Sequence, residues 1–119
     1  MLCYENERPP QGALGLLDWR FSGHFTQLLR NQVLTGQKGE MLYSPLKWNE
    51  ATYHFIIMGA GSLPDSGIRP PFSPELLKQA LAQVDHLKIE NLGISSLDWQ
   101  LTADQPTSEL EARKIWILN

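Results

Sequence analysis

Residues Tyr53 to Met58 form an almost wholly apolar run of aromatic and β-branched character, closed by Gly59-Ala60-Gly61. A run of that length bounded by glycines reads as a central strand buried on both faces. Burial on both faces needs helices on both sides of a sheet. The rest of the chain supplies the matching patterns: strand, helix, strand, strand, helix, strand, helix. The expected fold class is therefore α/β, a three-layer α/β/α sandwich with a mixed sheet. With 119 residues, 42% hydrophobic, the chain is expected to form one domain over 1–119.

Residues 1–4 read as a short strand and Arg8-Pro9-Pro10 as a loop, since proline cannot continue a ladder. Leu14, Leu17, Phe21, Phe25, Leu28 and Leu29 recur at gaps of three and four. That spacing predicts one amphipathic helix of about five turns, ending before Thr35-Gly36. Gly23 lies inside it, at a cost of about 1 kcal/mol relative to alanine, which suggests close approach of another backbone. Glu40 to Ser44 reads as a strand stopped by Pro45, and Lys47 to Glu50 as a turn. Ser62 to Phe72 is the longest irregular segment. Ser73-Pro74-Glu75 is a helix start, with Leu76, Leu77, Ala80, Leu81, Val84 and Leu87 as the buried stripe and Asn91 or Gly93 as the stop. Leu97 to Leu101 alternates as a half-exposed strand would. Thr107-Ser108-Glu109 caps a last helix, although Lys114 to Leu118 also reads as a strand.

Ten basic and thirteen acidic residues leave a net charge of −3, which argues against nucleic-acid binding. The single cysteine, Cys3, cannot close an internal disulfide and reads as a small apolar strand residue; Glu5 and Glu7 would disfavour its thiolate. The longest apolar run, Phe55 to Met58, falls far short of the roughly 20 residues that span a bilayer. The N-terminus shows no basic stretch followed by an apolar run, so the expected location is cytoplasmic, with no membrane contact.

The spacing Arg8-Pro9-x-x-Gly12-x-x-Gly15-x-x-Asp18-Trp19-Arg20 resembles the N-terminal, non-catalytic domain of the cytosolic leucyl aminopeptidase family. The resemblance continues through Gly23, Leu28-Leu29-Arg30, Gly36, Gly39-Glu40 and Pro45 to Gly59-Ala60-Gly61, and covers residues 73–118 only as a pattern of helix, strand and helix. It implies a macro-domain-like fold and a role in assembly or regulation. In that family the peptidase domain is separate and carries two metal ions. Its signature Asn-Thr-Asp-Ala-Glu-Gly-Arg is absent here, so peptidase activity is not carried over and a non-enzymatic protein is expected.

Gly12 and Gly15 stand at a loop-to-helix junction, where free backbone N–H groups suit an anion. The resemblance implies a phosphate role for such a loop, as in ADP-ribose binding. The competing structural reading has these glycines letting the helix pack on the sheet, with Asp18 and Arg20 paired over the Trp19 ring. Gly59 and Gly61 follow a strand as a phosphate loop should, but no helix follows directly. Ser66-Gly67-Ile68 resembles the short phosphate-wrapping element of macro domains, with Arg69 as a source of charge or a solvated residue. Gly12, Gly15, Gly59, Gly61, Ser66 and Gly67 are thus the ligand-site candidates for an ADP-ribose or nucleotide binder. His24, His54 and His86 are too far apart in sequence to predict a metal site, and no cofactor is expected.

Four tryptophans remain. Trp19 and Trp99 read as core or core-edge residues. Trp48 follows Pro45 in a turn, where an exposed aromatic would suit an interface. Trp116 with Ile117 belongs to an apolar chain end that a helix cannot bury entirely. Trp48, Trp116 and Ile117 are the interface candidates, and a protein partner or a homo-oligomer is the leading expectation. Nucleotide binding is the alternative.

Overall fold

The computed structural model describes residues 1–70, 74–89 and 91–99, and the backbone of 114–118. It is α/β in character. The chain divides into two units, Met1–Pro70 and Pro71–Asn119.

In the first unit, β1 (Leu2–Tyr4), α1 (Gly12–Arg20), α2 (His24–Arg30), β2 (Met41–Trp48) and β3 (Ala51–Gly61) follow in order. The sheet runs β1-β3-β2 and is mixed: β1 is parallel to β3, and β2 is antiparallel to it. Its core is the cluster Cys3, Leu14, Phe25, Leu34 and Ile57, with Leu17, Leu28, Leu29, Leu42, Leu46 and Phe55 packed around it. Leu42, Leu46, Phe55 and Ile57 share one face of the β2–β3 pair, because side chains alternate along a strand. Helices α1 and α2 cover that face.

The helix expected from Leu14 to Leu29 is two helices. Gly23 N–H donates to the Asp18 carbonyl at 2.8 Å and Ser22 N–H to the Trp19 carbonyl at 3.3 Å, which is a Schellman stop. Ser22 holds the left-handed position at φ 55, and Gly23 follows at φ 81. No backbone approaches Gly23 closely, so its conformation and not its size is what the fold uses. Helix α2 ends in the same way at Gln32 (φ 58), before Thr35-Gly36 as the spacing predicts.

Pro45 does not stop β2. It pairs with His54 near the middle of the strand, and among the described residues β2 has a strand neighbour, β3, on one side only. A proline is tolerated in an edge strand because the donor it lacks faces away from the sheet. The turn is correspondingly tighter than Lys47 to Glu50: Asn49 and Glu50 alone connect the strands, both left-handed at φ 49 and φ 67. That is the geometry of a two-residue type I′ hairpin. Strand β3 is central, but it is not buried along its length. Ile57, Met58 and Gly59 are buried, whereas Tyr53 is 47% exposed. The cause is topological: β1 pairs with Met58 to Gly61, so among the described residues the first half of β3 has a strand neighbour on one side only.

The second unit contains α3 (Pro74–His86), β4 (Asn91–Ser95), α4 (Ser96–Trp99) and β5 (Lys114–Leu118). Helix α3 buries Leu77, Leu81 and Val84, while Leu87 lies exposed beyond its end. Its stop is again a left-handed non-glycine residue, Lys88 at φ 57, and not Asn91 or Gly93, which lie in β4. Residues 97–99, expected to begin a strand over Leu97 to Leu101, are helical instead, and residues 100 and 101 lie outside the described residues. Ser95 Oγ accepts from Leu97 N–H at 3.2 Å, and Asp98 three residues on gives the serine-to-acid spacing of a helix start. Trp99 is buried as expected. Lys114–Leu118 forms a strand parallel to β4, with Gly93 opposite Trp116 and Ile94 opposite Ile117. The strand reading of the chain end therefore holds, and the argument that a helix would leave Trp116 or Ile117 uncovered does not apply. The Ser73 cap and the helix start at Thr107 lie outside the described residues. No helix among the described residues is long and apolar enough to cross a membrane.

Non-glycine residues at left-handed positions carry a steric cost that glycine does not. Replacing Gln32 or Glu50 by glycine is expected to raise stability by about 0.5–1 kcal/mol each, after the greater unfolded-state freedom of glycine is allowed for. Urea denaturation of the two variants checks this.

Candidate functional site

The N-terminal motif builds a loop tied to its own backbone. The Arg8–Pro9 peptide is cis. The Arg8 guanidinium donates to the carbonyls of Tyr4 at 2.7 Å, Glu7 at 2.9 Å and Thr35 at 3.2 Å. Gly12 starts α1 at φ 64. A Cβ on Gly15 would lie 2.3 Å from the Pro10 carbonyl oxygen, so this glycine lets α1 close onto the proline loop and not onto the sheet. Its N–H donates to Gln11 at 3.2 Å.

Gly59 and Gly61 sit under the segment Thr35–Glu40. A Cβ at Gly59 would fall 1.8 Å from the Gln37 carbonyl oxygen, and one at Gly36 would fall 2.7 Å from the Tyr4 backbone. Gly59 N–H donates to Glu40 at 2.8 Å and Gly61 N–H to Gly36 at 2.9 Å. Both amides that a phosphate would use thus bind the chain's own carbonyls. Glu40 fastens the same segment: its carboxylate accepts from the Thr35 hydroxyl at 2.6 Å and from the Thr35 and Gly36 N–H groups at 2.9 Å each. Burial acts to raise the Glu40 pKa, but the Thr35 hydroxyl and the Gly36 and Thr35 amides outweigh it and hold it below the usual 4.5.

Ser66 and Gly67 form a turn. Gly67 N–H donates to the Pro64 carbonyl at 2.8 Å, and Ser66 Oγ accepts from Ile68 N–H at 3.3 Å. Arg69 neither lies in solvent nor waits for an anion. Its Nη2 meets Glu7 Oε1 at 2.6 Å, its Nε meets Oε2 at 3.1 Å, and Nη2 also reaches the Gln11 carbonyl at 3.0 Å. The guanidinium lies 5.1 Å from the Tyr4 ring centroid. Asn6 completes the tie, accepting from Leu63 N–H at 2.7 Å and donating to its carbonyl at 3.2 Å.

Asp18 and Arg20 do not pair over Trp19. Asp18 accepts from Thr26 N–H at 2.8 Å and from its hydroxyl at 2.6 Å, giving α2 the N-terminal cap that Gly23 has no side chain to provide. Arg20 lies over Trp48 at 5.0 Å. Trp48 is also edge-on to Phe21 at 5.9 Å, and Phe21 to Phe55 at 5.7 Å, so the hairpin end is joined to the core by an aromatic chain. Trp19 is left 82% exposed, and Leu16, one turn earlier on α1, 63% exposed. The core reading of Trp19 is thereby overturned. The heptad-like apolar positions of α1 point inward without it, and residues 16 and 19 fall together on the outer side.

His24 and His54 each engage a different strand partner. His24 Nε2 lies 3.2 Å from the buried Ser44 hydroxyl, a contact that spans 20 residues and gives that hydroxyl a partner. His54 Nδ1 bonds the Tyr43 hydroxyl on the opposite face of the hairpin. No group of three or more His, Cys, Asp or Glu among the described residues could hold a metal. Cys3 is buried, and desolvation pushes its thiol up; Arg8 opposes this while Glu40 and Glu7 add to it.

Gly59→Ala is expected to cost at least about 2–3 kcal/mol with no ligand present, because backbone must move to admit the methyl group; thermal unfolding measures it. Glu40→Gln removes a charged acceptor of three hydrogen bonds, an expected loss of about 1.5–3 kcal/mol at neutral pH. Since the folded-state pKa of Glu40 lies below the unfolded value, its contribution is full above about pH 4.5 and disappears as the pH falls through the folded pKa. The stability gap between wild type and variant should therefore be flat near neutrality and narrow in acid. No protein family, curated protein or solved structure matches this chain.

Proposed function

We propose that this chain is a non-catalytic, cytoplasmic module of macro-domain-like, three-layer architecture that acts by protein–protein association, as a homo-oligomer or on a separately encoded peptidase. The observation that carries the reading is Trp19 at 82% exposure with Leu16 at 63% beside it on α1. Single exposed apolar residues are ordinary, but a tryptophan and a leucine on one outward helical face make a contiguous patch. Covering a tryptophan removes on the order of 150–250 Å² from water, worth about 4–6 kcal/mol before the costs of association. Arg20 and Trp48 continue the patch with residue types that anchor interfaces. The resemblance of Arg8 to Arg20 to an assembly domain points the same way.

Nucleotide binding has less support. The Gly59 and Gly61 amides and the Arg69 guanidinium already have partners within the fold.

Trp19→Glu tests the association reading at little cost to folding, since an exposed substitution away from tertiary contacts changes stability by about 0.5 kcal/mol or less. Light scattering across a concentration series and capture on immobilised protein are expected to show association by the wild type and its loss in the variant. A wild type that stays monomeric and retains the same proteins as the variant would overturn the proposal.

A further inference from the structure

We infer that Pro45 guards the outer edge of β2, preventing two copies of this chain from joining edge to edge into a continuous sheet. The phase of the ladder is fixed by three backbone contacts. Gly59 N–H donates to Glu40 C=O at 2.8 Å, while Met58 N–H is given to Met1 on the β1 side and the Ile56 carbonyl accepts from the Met1 nitrogen there. The register then steps from Met41 opposite Met58 to Trp48 opposite Ala51 without a break. Residues 42, 44, 46 and 48 therefore exchange hydrogen bonds with β3, and residues 41, 43, 45 and 47 aim their N–H and C=O groups outward. Pro45 is the one outward position with no N–H, and it sits near the centre of an eight-residue strand.

A second copy pairing antiparallel about a two-fold axis would meet that gap twice. Centred on residue 45, the two prolines face each other; centred on residue 44, each faces Tyr43 of the other copy. Either way the middle of the ladder loses its donors, and the ring carbons occupy their place. Tyr43, Pro45 and Lys47 are all exposed. The native sheet loses nothing by the substitution, because the missing donor never faced β3. Edge blocking is independent of the α1 patch and holds whatever that patch binds.

The test restores the donor. Pro45→Thr is placed in both the wild-type and the Trp19→Glu background, and mass is followed by sedimentation velocity over a range of concentrations. The expected result is a doubling of mass relative to the parent in each background. Adding Tyr43→Pro, or Lys47→Pro should the first disturb folding, removes a neighbouring outward donor and is expected to return the parent mass. An unchanged mass on Pro45→Thr, with a cooperative thermal transition retained, would overturn the inference. So would a doubling that neither second proline reverses.

Discussion

The contact on which the first unit depends is between two backbones. The Gln37 carbonyl occupies the space a side chain at residue 59 would need, and the Tyr4 backbone does the same at residue 36. Only glycine at both positions lets Thr35–Glu40 lie across the ends of β1 and β3. From that approach follow the hydrogen bonds from Gly59 and Gly61 into the segment, and the seat of the Glu40 carboxylate upon Thr35 and Gly36. The glycines that look in sequence like a cradle for phosphate are filled by the chain itself.

The same economy governs the irregular segment after β3. Glu7 and Arg69 are 62 residues apart and meet in a two-pronged ion pair, with side chains only 11% and 13% exposed. Such a pair contributes modestly while whole, but losing one partner strands a partly buried charge. Together with Asn6 on Leu63, it fixes the segment to the β1–α1 loop. Charge here organises chain path, and the Arg69 guanidinium is committed to Glu7 and the Gln11 carbonyl.

Two apolar side chains remain outward on α1. Along α1, Leu14 faces the core while Leu16 and Trp19 face away, and Arg20 turns to Trp48 at the hairpin end. An aromatic chain runs from Trp48 through Phe21 and Phe55 to Phe25.

The α/β class, the short first strand with Cys3, the buried Trp99 and the start of α3 near Pro74 were legible in the residue order, since periodicity and proline position are local signals. The break between α1 and α2 and the end of α3 escaped it because Ser22 and Lys88 take left-handed positions that glycine usually marks. The continuation of β2 through Pro45 escaped it because edge or centre is a property of the sheet, not of the strand. Likewise the roles of Asp18, Glu40 and Arg69 rest on partners that only the folded chain brings within reach, Thr26 eight residues away and Glu7 at a distance of 62. Tertiary structure alone decided that Trp19 faces solvent, because a helix turns its side chains through 100° per residue and only packing settles which side is covered.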